Sequence, residues 1–208
     1  MTIKTERQFS PFPTRLRLAN ARFQESFKDV KELRAAIRGE IADRPGLVLE
    51  VGCGFGFNSK LRSGDYLGVD PDDRVIEKAR KLHPDRRFEV MNGCALELPD
   101  ASAECVLMAL AVHEVAATQR ERMLSEACRV TRDDVVIADF NADLRGLRGL
   151  IIRAGEHRHF GDYLSFDLGG FMERKGFAAK KCARINRTFR LCVFEKGLRP
   201  EDLISDSY

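Results

Sequence analysis

LVLEVGCGFG, residues 47–56, carries the strongest structural signal in the chain. Leu47, Val48, Leu49 and Val51 make an apolar run of the length of a buried strand, interrupted only by Glu50. The run breaks into Gly52, Gly54 and Gly56 at alternate positions. A strand that ends in glycines lets a ligand approach the backbone, because no Cβ stands in the way. A helix entering after such a turn offers its first N–H groups to an anion. The next apolar run, Tyr66-Leu67-Gly68-Val69, ends on Asp70, 20 residues beyond Glu50. A carboxylate there can accept both hydroxyls of a ribose. The spacing is GxGxG, and Phe57 stands where the dinucleotide form GxGxxG has its third glycine. The wider turn suits a pyrophosphate. The tighter one, preceded by an acid, suits a nucleoside with an amino-acid tail. A nicotinamide oxidoreductase is therefore the least favoured reading of this turn.

Upstream of this stretch the period is helical. Phe23, Phe27, Val30, Leu33, Ile37 and Ile41 fall on one face, and Arg44-Pro45-Gly46 ends the helix with turn chemistry. Downstream, strands are expected at 66–70, 88–91, 104–108 and 135–138. Between them lie a helix carrying Val75, Ala79 and Leu82 that stops before Pro84, and one opened by a Thr118/Glu121 capping box. A helix with Leu168, Phe171 and Met172 inside ends at Gly176, and strands near 178–185 and 189–195 form a hairpin around Asn186-Arg187. Alternating strands and helices predict an α/β fold: a Rossmann-like, doubly wound, mostly parallel seven-stranded sheet with a C-terminal antiparallel hairpin and helices on both faces. Residues 1–44 read as an N-terminal arm and lid helix, 45–196 as the main domain, 142–164 as a lid-like insertion within it, and 197–208 as a polar tail. Such sheets bind ligands where the strands end at their C-terminal edge.

With 208 residues, 44% of them hydrophobic and 32% charged, the chain has room for one domain and an appendage, and disorder or a coiled coil is excluded. No apolar run is long enough to span a bilayer. The N-terminal MTIKTERQFSPFP has no apolar stretch behind its charges, so it does not read as a secretory signal. Both point to the cytoplasm. A net charge of +3 neither demands nor excludes nucleic acid. The six cysteines, at 53, 94, 105, 128, 182 and 192, form no CxxC pair and are expected to be reduced.

On these motifs the chain resembles the class I S-adenosylmethionine-dependent methyltransferases, in particular the small-molecule group that includes ubiquinone- and menaquinone-biosynthesis methyltransferases. LVLEVGCGFG is similar to their first motif and YLGVDPDDRVIEKAR (66–80) to their second. NGCALELPDASAECVLMALAVHEV (92–115) is similar to their third and fourth, and EACRVTRDDVVIADF (126–140) to the segment leading into their fifth strand. The resemblance implies S-adenosyl-L-methionine as cofactor and S-adenosyl-L-homocysteine as product. It implies that Glu50, Gly52, Gly54 and Gly56 line the methionine part, that Asp70 holds the ribose, and that Pro71 lies against the adenine. Cys94 and Ala95 would then sit at the adenine edge, with Ala109 and Leu110 flanking the methyl-bearing sulfur. The chain departs from the family in three places. Cys94 stands where an adenine-reading Asp is frequent, the stretch from Gly56 to Asp70 is short by about one helical turn, and Arg132-Asp133-Asp134 replaces a Pro-Gly-Gly turn.

Methyl transfer from a sulfonium is an in-line displacement, so the protein chiefly supplies positioning and dryness. A base is needed only where the nucleophile must lose a proton. His113, three residues past Leu110, is the candidate, with an ordinary pKa near ~6.5. The same histidine would equally serve a helix start or pack beneath a lid. In Glu156-His157-Arg158-His159-Phe160-Gly161-Asp162-Tyr163, His157 and the Tyr163 hydroxyl are candidate substrate contacts, and no metal set is expected. Phe9, Phe12, Phe23 and Phe27 offer a wall for an apolar substrate, although Phe23 and Phe27 suit core packing better. The expected partner is a small, partly apolar methyl acceptor. The basic residues Arg174, Lys175, Lys180, Lys181, Arg184, Arg187 and Arg190 keep an RNA or protein methyltransferase as the rival. A non-catalytic cofactor-binding module is a third reading.

Overall fold

The computed structural model describes residues 14–143 and 159–197. Strands β1 (Val48–Val51), β2 (Tyr66–Asp70), β3 (Arg87–Val90), β4 (Ala103–Ala109) and β5 (Thr131–Phe140) run parallel. Strands β6 (Phe177–Arg184) and β7 (Phe189–Lys196) add an antiparallel hairpin, giving the order β3-β2-β1-β4-β5-β7-β6. The strand order reverses between β1 and β4, so the crevice for a ligand opens where those two strands end.

Helices α1 (Thr14–Gln24), α2 (Lys28–Ile41) and α3 (Asp73–Leu82), α4 (Ala117–Val130), and the short α5 (Phe160–Leu164) and α6 (Leu168–Arg174) surround the sheet, with 3-10 turns η1 (Phe57–Leu61) and η2 (Val112–Glu114). The alternation of side chains along β1 sorts them. Glu50 points to the face where η1 supplies Asn58 and where Ile76 and Ala79 of α3 pack with Tyr66 and Phe88. Val51 points to the other face, where a Cβ on Gly93 would meet both Val51 and Met123 of α4. Met172 of α6 meets Cys128 of α4 on that second face. Leu49, Val106, Val136 and Leu191, from adjacent strands, are fully buried in the main core.

The helix expected from Phe23 onward is two helices. Val30, Leu33, Ile37 and Ile41 are the buried stripe of α2, as their spacing predicts. The chain turns at Glu25–Phe27, however, and Phe27 is the extended residue before α2, with 49% of its surface exposed. Phe27 is thus not part of the core, while the Phe23 side chain lies outside the described residues. Arg34 of α2 reaches back to Glu25, and this ion pair fixes the turn. Separated in this way, α1 lies across the glycine turn: Leu18 packs with Phe55 and Val75, and Arg17 pairs with Asp72 at 2.6 Å.

Other expectations shift in register. α4 begins at Ala117, and the Gln119 side chain, not Glu121, accepts the N–H of Ala116 at the cap. Thr118 therefore lies one residue inside the helix. Gly176 ends α6 in the left-handed conformation, φ 82°, as its position predicts. The cysteine expectation is corrected for one pair. Cys182 and Cys192 are directly opposed on β6 and β7, with Cα atoms 4.0 Å apart, and form a disulfide. Only the hairpin register brings them together, and composition carries no trace of it. The other four cysteines are free.

The hairpin tip is fastened to α2. Thr188 donates to Asp29 at 2.6 Å, and Asn186 donates to the Asp29 carbonyl and the Glu32 carboxylate. Asn141, just past β5, bonds the same tip through Thr188 and Asn186. Among the described residues, no helix is long and apolar enough to cross a membrane.

Candidate active site

Three glycines shape the turn after β1, and each does something different. All have positive φ: 76° at Gly52, 53° at Gly54 and 75° at Gly56. A Cβ on Gly52 would lie 2.7 Å from that of Ala111, so the loops after β1 and β4 touch there. A Cβ on Gly56 would enter the Phe88 ring at 2.5 Å. A Cβ on Gly54 would meet nothing within 4 Å among the described residues. Asp70 closes the turn from the next strand. One of its oxygens accepts the Gly54 N–H at 3.1 Å and the other accepts the Asp72 N–H at 3.0 Å. Burial pushes the Asp70 carboxyl above its usual range, and those two backbone bonds oppose the shift. Each oxygen keeps a lone pair for a further donor such as a ribose hydroxyl.

Beneath the turn, Glu50 is 1% exposed. It accepts from Asn58 of η1 at 2.6 Å and from the Tyr66 hydroxyl. Asn58 in turn accepts from Arg34, which pairs with Glu25. Burial raises the Glu50 pKa to about 7, against the hydrogen bonds of Tyr66 and Asn58. Tyr66 itself is pushed well upward by burial and by the adjacent carboxylate. The shortening seen between Gly56 and Asp70 has a structural meaning: the element after the turn is the five-residue η1. The side chains of Phe57, His83 and Phe88 gather beside it. His83 is 3% exposed, neither ring nitrogen makes a well-formed hydrogen bond among the described residues, and burial lowers its pKa.

The neighbouring loops complete the crevice. Pro71 and Ala95 are exposed, and Leu110 and Cys94 are partly so, at the ends of β2, β3 and β4. The Cys94 sulfur, however, lies 3.4 Å from the Gln119 carbonyl of α4, and its N–H is capped by the Asn92 side chain at 2.9 Å. The thiol is thus turned toward α4, and burial raises its pKa. Ala109 ends β4, and Leu110 after it is left-handed, φ 55°, with its N–H on the Ala138 carbonyl. A branched side chain held there costs about 1–2 kcal/mol and is retained at places where the surrounding structure fixes it.

His113 is 3% exposed and lies edge-on to Phe140, with centroids 4.8 Å apart, and to Phe160 and Tyr163. Its Nδ1 is 2.7 Å from Asp139, at the end of β5. Asp139 is fully buried and also accepts the N–H groups of Val112, His113 and Phe140. Tyr163 does not offer its hydroxyl to the crevice: it is 1% exposed and donates to the Phe140 carbonyl at 2.8 Å. Arg120 of α4 lies over Tyr163 and Phe166 and donates to the Val112 and Val115 carbonyls, tying α4 to η2. His157 and most of the 142–164 insertion lie outside the described residues. Among the described residues, no group of acidic, histidine and cysteine side chains is arranged to hold a metal.

Asp139, Tyr66 and Asn58 are the site residues that the sequence reading passed over. Asp139 had a usable signal, a carboxylate closing the apolar run VVIA just as Asp70 closes YLGV. Asn58 had none, because its role depends on η1 being short.

A glycine turn clasped by the acid of the next strand, at the reversal of a mostly parallel seven-stranded sheet with an antiparallel hairpin, defines the Rossmann-like class I methyltransferase fold. A family model described as a methyltransferase domain matches residues 49–138, from within β1 to within β5. Solved structures agree on the fold. An S-adenosylmethionine-dependent methyltransferase from Methanosarcina mazei superposes with a TM-score of 0.63 at 17% identity, covering 78% of this chain and 98% of that one. A TehB-like S-adenosylmethionine-dependent methyltransferase from Corynebacterium glutamicum gives 0.64 at 21%, covering 88% and 97%. Magnesium protoporphyrin IX methyltransferase from Synechocystis, solved with bound S-adenosylhomocysteine, gives 0.62 at 13%, covering 88% and 95%. No curated protein matches the chain in sequence.

Proposed function

We propose that this protein transfers the methyl group of S-adenosyl-L-methionine to a small, partly apolar acceptor in the cytoplasm. The observation that carries the reading is the clasp of Gly54 by Asp70, with no described residue within 4 Å of where a Cβ at residue 54 would stand. When bound, the cofactor supplies a methyl group already activated by a positive sulfur. Asp70 holds the ribose hydroxyls. Glu50 sets a negative charge behind the turn for the methionine ammonium. Pro71, Asn92 and Ala95 border the adenine, with the Ala95 backbone at its edge in place of the diverted Cys94 side chain. Leu110 and the Ala109 backbone line the path of the methyl group.

Phe140, Phe160, Tyr163 and Phe189 form a continuous buried aromatic cluster behind η2 that belongs to the core and backs the end of β4. The basic C-terminal residues support an RNA acceptor poorly. Lys181 pairs with Glu40, Lys180 with Glu195 and Arg184 with Asp143, so the hairpin's charge is largely balanced in place. Isothermal titration of the full chain with S-adenosylhomocysteine tests the cofactor half: saturable heat with one site is expected, and none from a folded sample overturns the reading. Filter binding to total tRNA and rRNA over a salt series tests the acceptor class, with negligible retention expected.

A further inference from the structure

We infer that Arg34 is a positioning residue for Glu50: acting through the Asn58 amide, it sets the negative charge that stands behind the glycine turn, and Glu25, just past α1, opposes it. The consequence for binding rests on the methyltransferase reading, in which that charge meets the ammonium of the cofactor.

The Asn58 amide is engaged at both ends. Its nitrogen donates to a Glu50 oxygen at 2.6 Å, and its oxygen accepts from the Arg34 guanidinium. A guanidinium has only donors and an ionised carboxylate only acceptors, so no other orientation of the amide satisfies both. The cation draws electron density toward the amide oxygen, which makes the NH2 a stronger donor to Glu50. Arg34 is itself held by Glu25, which accepts from its Nε at 3.1 Å and from a terminal nitrogen. Glu50 and Asn58 are 1% and 3% exposed, and the Arg34 side chain keeps 17%. Salt screens charge little along such a path.

The other groups that face Glu50 are acids or apolar. The Tyr66 hydroxyl of β2 donates to its second oxygen. Asp70, at the end of β2, and the Cys53 thiol of the glycine turn bear on it as acids. Its sheet neighbours are Gly68 of β2 and Leu107 of β4, and α3 brings Ile76 and Ala79, none of which titrates. Arg34 is the cation of this set. Removing its charge leaves the Glu50 carboxylate less favoured. Removing the charge of Glu25 leaves Arg34 unopposed and the Glu50 carboxylate more favoured. Both changes loosen the same turn between α1 and α2, so a purely structural brace would move Glu50 the same way in each.

The test follows the Glu50 carboxyl carbon by carbon NMR on the full chain, labelled at the glutamate δ carbon, and Glu50→Gln removes and so assigns its signal. The wild-type titration is centred at about 7. In Arg34→Gln the midpoint is expected to rise by about one pH unit, and in Glu25→Gln to fall by about half a unit. S-adenosylhomocysteine affinity, measured calorimetrically over the same range, should follow the midpoints, so that at pH 7 Arg34→Gln binds about fivefold more weakly than the wild type. Midpoints that stay in place, or that move in one direction in both variants, overturn the role of Arg34. Should Arg34→Gln fail to fold, Glu25→Gln decides alone: a fall supports the role, and no change or a rise overturns it. Affinity that stays level while the midpoints move overturns the step from this charge to the ammonium. Absence of S-adenosylhomocysteine binding by the wild type would defeat the methyltransferase reading and leave the carbon titrations to decide the role of Arg34.

Discussion

The two halves of the crevice are made differently. On the side of β1 and β2 the site is backbone: three glycines in 52–56 and one carboxylate 14 residues beyond Gly56 hold the shape. On the side of β4 and β5 it rests on buried side chains: Asp139 holds His113, and Tyr163 behind them holds the Phe140 carbonyl. A backbone cradle reads a part of the ligand that never changes. A framework of side chains can be exchanged residue by residue between enzymes of one fold. The contrast predicts that substitutions in the first half disturb one glycine at a time, whereas the second half fails as a unit.

The largest effect is expected at Asp139. Asp139→Ala strands three backbone N–H groups and the imidazole in the interior, and should cost about 3–5 kcal/mol in urea unfolding. A loss below about 1 kcal/mol would show that the acceptor half is not held as a unit.

Glu50 tests the other half through pH. Its folded pKa of about 7 lies above the ordinary 4.5, so the folded state holds a proton that the unfolded chain gives up between those values. Stability should therefore fall as pH rises from about 4.5 to about 7 and level off above, by about 3 kcal/mol in total. Glu50→Gln should flatten that part of the pH profile of the urea midpoint. On the proposed placement of the cofactor's ammonium opposite Glu50, the ionised carboxylate is favoured, so S-adenosylhomocysteine should bind more tightly as pH rises through 7 in the wild type but not in Glu50→Gln.

The glycines separate fold from binding. Gly52→Ala combines a left-handed backbone with a 2.7 Å contact at Ala111 and should cost about 2–4 kcal/mol by thermal unfolding. Gly54→Ala meets no neighbour, should cost only about 1–2 kcal/mol, and should nonetheless abolish S-adenosylhomocysteine heat in titration. Equal effects at both positions would remove the distinction drawn between them.

The smallest effect concerns the packing under the short η1. His83→Leu removes two buried nitrogens that make no well-formed hydrogen bond among the described residues and should gain about 1 kcal/mol in the same assay.

What could be read in advance follows the same divide. The succession of strands and helices along the chain, the hairpin, and the positions of Gly52, Gly54 and Asp70 are local patterns, and periodicity reports them directly. The break at Glu25–Phe27 was hidden because Phe23, Phe27 and Val30 fit one helical face, and the deciding contact, Arg34 to Glu25, spans a turn. The cap at Ala116 was missed because Thr118 and Glu121 satisfy the same pattern two residues on. The Cys182–Cys192 bond and the turning of Cys94 toward Gln119 depend on strand register and helix docking, which no short window contains. Tyr163 read as an exposed hydroxyl because tyrosine is amphipathic, yet its partner, the Phe140 carbonyl, is 23 residues away.

The fastening of Thr188 to Asp29 bears on how the molecule is made. Those residues are 159 apart in sequence, so the apolar stripe of α2 leaves the ribosome long before the hairpin it is tied to exists. Through most of synthesis that stripe is a sticky surface awaiting its cover, and a chaperone is its natural interim companion. Ribosome-stalled chains ending before Asn186 should be cleaved by protease within 28–41, and released full-length chains should resist.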